Sequence, residues 1–194
     1  MSQENVEVVR RPFTVSSSKR RRLEDRLSLR FPGVRTLLLR LLWRLPARSR
    51  LRQAALHRGM RLGFEANNRG DFEIAYMDYD KKIELVSDPR LVGLGFDRVY
   101  RGRAERVRFQ QRWVAEWGDF QFAPEELIDL GDGRVFVRGR IVGSGLSSGA
   151  GFDGDWGVLF TFSDGRVVRE QFFFNRAESL EAVGLSEQDA HAES

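Results

Sequence analysis

Two acidic residues stand where a carboxylate could do acid–base chemistry, and Asp88 is the first. It closes a predicted strand along which Ile83 and Leu85 alternate, and Pro89 follows it directly. A carboxylate held in an apolar pocket has a raised pKa and can remove a proton next to a carbonyl. Asp before Pro is also a common turn former, so a structural role stays open. Strict alternation would instead turn Ser87 towards the pocket.

Glu170 is the second candidate. It shares one face of the last predicted strand with apolar residues that include Val168 and Phe174. An acid among such neighbours either lines a pocket or is neutralised by a cation. Arg138 or Arg140, on a nearby predicted strand, is the expected partner in the second case. The sequence leaves an acid–base role and a structural ion pair equally open.

The predicted pocket walls are mostly aromatic and apolar. The residues expected to line a ligand pocket are Tyr76, Ser87, Trp113, Trp156, Val158 and Phe172. Aromatic side chains in a small domain usually fill the core, which is the competing interpretation for the Tyr and the two Trp.

Several classes of site are excluded or disfavoured by composition. The chain has no Cys, which rules out disulfides, thiol nucleophiles and thiolate metal sites. Its two histidines, His57 and His191, are too isolated for a triad or a metal centre. Residues 149–154 match G-x-G-x-x-G, but a strand follows them where a dinucleotide site needs a helix. We expect no metal and no cofactor.

The elements that must position these side chains change character along the chain. Apolar residues at helical spacing come first, and alternating residues with turn signals follow, which is typical of an α+β fold. The predicted helices cover 3–11, 19–31, 34–45, 47–67, 71–79, 103–117 and 176–184. The predicted strands cover 81–88, 120–130, 134–142, 156–162 and 167–174. An irregular loop is expected at 90–101 and a flexible connection at 143–154.

Several segments together resemble bacterial SnoaL-like proteins of the nuclear transport factor 2-like superfamily. They are Met1 to Arg11, Asn68-Arg69-Gly70-Asp71-Phe72, Tyr100-Arg101-Gly102-Arg103, Glu125 to Asp132, Asp164 to Val168, and Arg176 to Leu185. The resemblance implies a cone, in which a curved and mostly antiparallel sheet wraps around helices and leaves a pocket at its open end. It also implies frequent homodimers through the sheet. Members include isomerases, polyketide cyclases, hydrolases, dehydratases and binding modules, so the fold does not set the function.

The resemblance divides the chain and weakens one enzymatic interpretation. It covers 1–11 and about 55–186, and residues 12–54 look like a basic insertion. The expected parts are a helical segment at 1–54, a cone domain at 55–186 and a polar tail at 187–194.

Ketosteroid isomerases of this superfamily place a carboxylate base before Pro, as in Asp88-Pro89. Their two oxyanion donors fall on Gly63 and Val158 here, and neither side chain can donate a hydrogen bond.

Charge is unevenly distributed along the chain. Residues 1–60 hold 15 Lys and Arg against 4 Asp and Glu, a net charge of +11, whereas residues 61–194 carry −7. We expect residues 19–52 to bind a membrane surface or an acidic partner, or to dock on the cone itself. Nucleic acid is not expected, because few aromatic residues accompany the cations. No export signal or spanning segment is apparent, so the expected location is the cytoplasm.

The function predicted from these observations is a pocket protein that binds an apolar small molecule. A cyclase-, isomerase- or hydrolase-like enzyme with Asp88 or Glu170 as acid or base is the first alternative. An interaction module that uses the basic helices is the second.

Overall fold

The computed structural model describes residues 9–13, 15, 29–117, 120–144 and 151–185. Its strands are β1 (Val9–Pro12), β2 (Tyr79–Val86), β3 (Val99–Arg101), β4 (Phe120–Asp129), β5 (Arg134–Ser144), β6 (Gly151–Ser163) and β7 (Arg166–Phe173). Its helices within the described residues are α1 (Pro32–Trp43), α2 (Arg50–Asn68), α3 (Phe72–Ala75), α4 (Pro89–Gly93), α5 (Arg103–Trp117) and α6 (Arg176–Ala182).

The strands form one seven-stranded sheet in the order β1-β4-β5-β6-β7-β2-β3. Neighbours run antiparallel except β2 and β7, which are parallel and place Leu85 opposite Glu170. The register of β4 on β5 shifts between Pro124 and Glu126, opposite Gly139. A Cβ at Gly139 would lie 2.2 Å from the Ala123 carbonyl oxygen, so only glycine fits this bend. The expected α+β fold with a curved, mostly antiparallel sheet is confirmed.

Apolar side chains cover both faces of the sheet. The inner face packs against α2, α3 and α5 in a core that includes Ile83, Leu85, Phe109 and Phe172. On the outer face, Phe136 and Phe173 pack with Leu180 of α6. Side chains that alternate along each strand therefore contribute to two apolar cores, one on each face of the sheet. The inner core surrounds the space where a ligand could bind.

A buried ion pair joins the N-terminal helices to the sheet. Arg52 donates hydrogen bonds of 3.1 and 2.9 Å to the Asp129 carboxylate, and Gln53 donates a third of 3.1 Å. Ser49 caps the start of α2 by accepting from the Arg52 amide. Because α2 is continuous from Arg50 to Asn68, the boundary expected between residues 54 and 55 falls inside one helix.

Some predicted elements differ from the observed ones. The helix expected at 3–11 is wrong for residues 9–11, which pair with β4 as part of β1. Residues 143–144 and 151–154, expected in a flexible connection, extend β5 and β6. The expected loop at 90–101 contains most of α4 and all of β3, and Tyr79 begins β2 rather than ending a helix. Residues 3–8, 19–28, 145–150 and the tail at 187–194 lie outside the described residues.

Candidate functional site

A mostly apolar cavity lies between the inner face of the sheet and the helices that cross it. Its volume is about 90 Å³, and side chains of α1 form part of its lining. One water centre needs roughly 10–15 Å³, so several waters or a small molecule fit. Its apolar walls include Leu56, Met60, Phe64, Phe122, Val158 and Phe160.

Five charged side chains of the described residues line this cavity, and two of them, Arg106 of α5 and Glu170 of β7, form a buried pair with each other. The other three are Arg35, Arg52 and Asp78. Arg106 Nε lies 2.5 Å from Glu170 Oε2, and Arg106 Nη2 lies 3.0 Å from Oε1. The residues are only 3% and 2% exposed. Both carboxylate oxygens thus accept from one guanidinium, the bidentate geometry that Arg forms best. Neither expected partner of Glu170 is correct, because Arg138 pairs with Glu126 and Arg140 with Asp153.

Aromatic rings and amides surround the Arg106 guanidinium. Its carbon lies 4.4 Å from the centre of the Tyr76 ring, a cation–π distance. The Tyr76 hydroxyl lies 2.6 Å from Asn67 Oδ1 and 3.2 Å from Gln110 Oε1. Arg106 Nη1 also donates to Gln110 Oε1 at 3.1 Å. We call Asn67, Tyr76, Tyr79, Arg106 and Glu170 the polar cluster, since all five line the cavity.

Burial and charge set the protonation of this cluster. Burial alone would lower the pKa of Arg106, but the Glu170 carboxylate outweighs it and the pKa is raised. Burial also raises the pKa of Tyr76 and that of Tyr79, and the charge of Glu170 raises both further. At neutral pH the cluster therefore holds a guanidinium and two protonated phenols, which are hydrogen-bond donors.

Helix α1 forms one wall of the cavity. The Trp43 ring packs against Phe162 of β6 with centroids 4.4 Å apart. The Arg35 guanidinium pairs with Asp78, with Nε 2.8 Å from Oδ1. At the β6–β7 turn, a Cβ on Gly165 would lie 2.8 Å from the Arg40 amide nitrogen, so the turn touches the α1 backbone. The basic insertion thus docks on the cone through one face of α1.

Asp88 and Ser87 do not line this cavity. Asp88 is the N-cap of α4, and its Oδ1 accepts from the Arg90 amide at 2.8 Å. Its Oδ2 accepts from the Phe174 amide at 2.9 Å, and Arg90 adds a salt bridge of 3.2 Å. Neither residue lies on the cavity wall, because β2 ends at Val86 and the chain turns into α4. Asp88 thus has the structural role that its sequence context left open.

The six predicted wall residues separate into two groups. Tyr76, Val158 and Phe172 line the cavity, whereas Ser87, Trp113 and Trp156 do not. Trp113 stacks on Phe174 with an interplanar angle of 3° within an aromatic core. Trp156 packs edge-on against Phe122. The two tryptophans are core residues, the competing interpretation of such aromatics.

Sequence reasoning missed Arg106, the central residue of the polar cluster. A signal was present, because Phe109, Gln110 and Trp113 stand three, four and seven positions later on α5 and are also buried. This spacing places Arg106 on the buried face of its helix. A cation on such a face needs a buried anion, and Glu170 was the acid expected on the inner face of a strand.

Two negative findings apply to the described residues. No group of three or more His, Asp or Glu side chains there could hold a metal ion. No described helix has the length and apolar character that crossing a membrane requires.

Residues 61–170 match the family model of the SnoaL-like domain. The chain belongs to the SnoaL-like domain family. The matched range spans α2 to β7 and contains the whole polar cluster. No curated protein matches this SnoaL-like sequence.

Solved structures share the fold of this SnoaL-like domain. An NTF2-like protein of unknown function from Burkholderia pseudomallei has 20% identity and a TM-score of 0.56, over 65% of this chain and 95% of its own. TerC, co-crystallised with polyporic acid, has 22% identity and a TM-score of 0.56, over 66% and 96%. A candidate polyketide cyclase from Xanthomonas campestris pv. campestris has 21% identity and a TM-score of 0.52, over 68% and 98%. At these identities the similarity shows the fold alone.

Proposed function

We propose that this SnoaL-like domain binds an apolar small molecule in the cavity, with a polar end of the ligand facing the polar cluster. The observation that carries the proposal is the combination of apolar walls with a buried Arg106–Glu170 pair inside the same cavity. Ligand sites typically combine apolar linings with a few convergent polar groups. The Tyr76 and Tyr79 hydroxyls already donate within the polar cluster, to Asn67 and Glu170. Arg106 has five N–H groups and uses three of them on Glu170 and Gln110, so the polar end of the ligand is expected to be an oxygen that accepts from this guanidinium.

The test is ligand-dependent stabilisation of the purified chain. The probes are a steroid, an aromatic polyketide and polyporic acid, the compound co-crystallised with TerC. A probe at 100 times its Kd should raise the free energy of unfolding by roughly 2.7 kcal/mol, a clear thermal shift. Calorimetry on the same samples gives the stoichiometry, expected to be one ligand per chain.

A matched pair of variants ties any binding to the cavity. Gly63 lines the cavity, and a Cβ there meets only the Ala75 carbonyl oxygen at 3.6 Å, so Gly63→Leu adds bulk to the wall. Gly93→Leu places the same side chain in α4, where a Cβ meets nothing within 4 Å. We expect binding to be lost in the first and kept in the second. Equal binding by both variants, or no stabilisation by any probe, contradicts the proposal.

A second candidate function is proton transfer by Glu170. The observation that favours it is the position of this carboxylate in the cavity wall. Glu170 would take a proton from a carbon next to a ligand carbonyl, and the neighbouring donors would stabilise the enolate oxygen. Its two hydrogen bonds to Arg106 oppose this role, because they compete with the incoming proton.

Deuterium exchange separates the two functions. A bound ketone incubated in D₂O should exchange its α-protons if Glu170 acts as a base, and Glu170→Gln should stop exchange while ligand is still bound. A ligand that binds and exchanges no faster than in buffer leaves the protein a binder and excludes the second candidate.

A further inference from the structure

Helix α1 has an apolar face that no described residue covers. Val34, Leu37, Leu38 and Leu41 are 58%, 59%, 54% and 51% exposed, and Phe31 just before the helix is 52% exposed. At 100° per residue these positions fall on one side of the helix. We call Phe31, Val34, Leu37, Leu38 and Leu41 the apolar stripe. Of the ten large hydrophobic residues that are exposed in the described part of the chain, five belong to it.

The stripe is exposed although its helix is firmly docked. The opposite side of α1 supplies Leu39, Leu42 and Trp43 to the cavity lining. Arg35 holds the helix to Asp78, and Arg166 Nη2 donates to the Thr36 hydroxyl at 3.0 Å. The helix therefore already buries one apolar side, and the stripe is a second one. Contiguous exposed apolar surface of this kind marks an interaction site.

The charge around the stripe indicates the partner. Residues 26–64 contain ten Arg and no Asp or Glu. Arg40, Arg44, Arg48 and Arg50 are exposed, and Arg40 and Arg44 flank one edge of the stripe in the helical projection. Arg40 Nη2 also lies 4.0 Å from Asp164 Oδ2, and such a pair between two exposed side chains is weak. Apolar residues bordered by cations complement a surface that is apolar inside and anionic at its boundary.

We propose that α1 docks on an anionic lipid bilayer, with the apolar stripe in the headgroup region and the flanking arginines on lipid phosphates. At 12 residues α1 is about 18 Å long, far below the roughly 30 Å of a hydrocarbon core, so the helix lies along the surface. Each Arg near an anionic surface adds to the attraction. The docking is independent of the proposed function, although the cavity wall that α1 forms would then lie near the bilayer.

Vesicle flotation of the full chain tests the docking. Vesicles of phosphatidylcholine with one quarter phosphatidylglycerol are compared with pure phosphatidylcholine, at about 0.1 M and about 1 M salt, where the Debye length falls from ~10 to ~3 Å. We expect at least about tenfold more protein on the anionic vesicles at the lower salt, since stripe and charge act together.

Matched triple variants distinguish binding through the apolar stripe from nonspecific hydrophobic binding. Leu37→Gln/Leu38→Gln/Leu41→Gln removes the centre of the stripe and should reduce binding about tenfold or more. Val92→Gln/Leu94→Gln/Val114→Gln removes three exposed apolar residues elsewhere and should bind as the wild type does. Circular dichroism and thermal unfolding establish that both variants fold, which the exposure of all six positions leads us to expect.

Four results overturn the proposal. They are no vesicle binding by the wild type, equal binding to neutral vesicles, equal loss in both triple variants, and a dimer in solution that the stripe variant alone abolishes. The last result would assign the stripe to a second copy of the chain. None of them bears on the ligand-stabilisation test, which uses no lipid.

Discussion

Arg106 and Glu170 stand 64 positions apart in the sequence, yet they share two hydrogen bonds of 2.5 and 3.0 Å inside the cone. With 3% and 2% of their surface exposed, neither can rely on water to compensate its charge. Such a pair ties α5 to β7 and makes each residue dependent on the other. The pair therefore links two elements of the fold and also forms a polar part of the cavity wall.

Breaking this pair from one side should destabilise the protein strongly. Glu170→Gln leaves the buried Arg106 guanidinium without its counter-charge, a defect that costs roughly 3–5 kcal/mol. Urea unfolding measured by circular dichroism gives the free energy of unfolding directly. A loss below about 1 kcal/mol would mean that water or another acid compensates Arg106.

Removing both charges should be far milder. Arg106→Met/Glu170→Met replaces the pair with apolar side chains, and such replacements are often neutral or even stabilising. The double variant should thus recover most of the stability that Glu170→Gln loses, while losing any ligand that needs the donors. Arg140→Ala, which breaks an exposed pair with Asp153, serves as the surface control and should leave unfolding nearly unchanged.

Asp88 should matter for stability and not for the cavity. Asp88→Ala removes the cap of α4 and leaves the Phe174 amide without its acceptor, which together cost about 2–4 kcal/mol. Ligand-induced stabilisation measured against the variant's own baseline should equal that of the wild type. A variant that folds but no longer binds would place Asp88 in the site after all.

Gly165→Ala should loosen the packing of α1 against the β6–β7 turn. Gly165 and Gly184 both have positive φ, 74° and 72°, so Ala costs roughly 1–2 kcal/mol of backbone strain at either position. Only at Gly165 does the new Cβ meet the α1 backbone, whereas at Gly184 it meets nothing within 4 Å. Hydrogen exchange should become faster over residues 32–43 in Gly165→Ala alone. Equal exchange in the two variants would show that the turn does not hold α1.

Acidification should destabilise the fold through His57. Burial, and then the charges of Arg11 and Arg61, lower the pKa of His57 below its ordinary value of 6.5. The unfolded chain therefore binds a proton at higher pH than the folded one, and stability falls as pH drops through 6.5 towards the folded pKa. Urea titrations between about pH 8 and pH 5.5 should show this slope, and His57→Gln should lack it. A slope that survives in the variant would assign it to other groups.

Period and alternation were sufficient to predict five of the seven described strands and the cavity-facing side of the last one, but not β1 or β3. Glu170 lies on the inner face with Phe172 because residues two apart on a strand share a side. Strand alternation could not identify the residue that pairs with Glu170. Strand alternation pointed to Arg138 and Arg140 on a neighbouring strand, whereas Arg106 comes from a helix that tertiary packing lays across the cavity.

The Asp88-Pro89 dipeptide is compatible with two local structures, the end of a strand and the start of a helix. Asp followed by Pro is also the arrangement of an N-cap with Pro at the first helical position, and that is what α4 uses. The prediction extended β2 by two residues and kept a pocket acid and a turn former as alternatives for Asp88, and the observed cap agrees with the second. For α1, a basic amphipathic pattern left docking on the cone and binding elsewhere as alternatives. Only the packed fold shows that one side is docked while the other is exposed.

The parallel pairing of β2 with β7 has a consequence for the order in which the protein can be built on the ribosome. Arg106 leaves the exit tunnel 64 residues before Glu170, and β2 must wait still longer for its neighbour in the sheet. Until β7 emerges, the nascent chain carries an uncompensated cation on an apolar helix face and an open sheet edge, both exposed to wrong partners. Final closure of the cone is thus expected only after β7 has emerged.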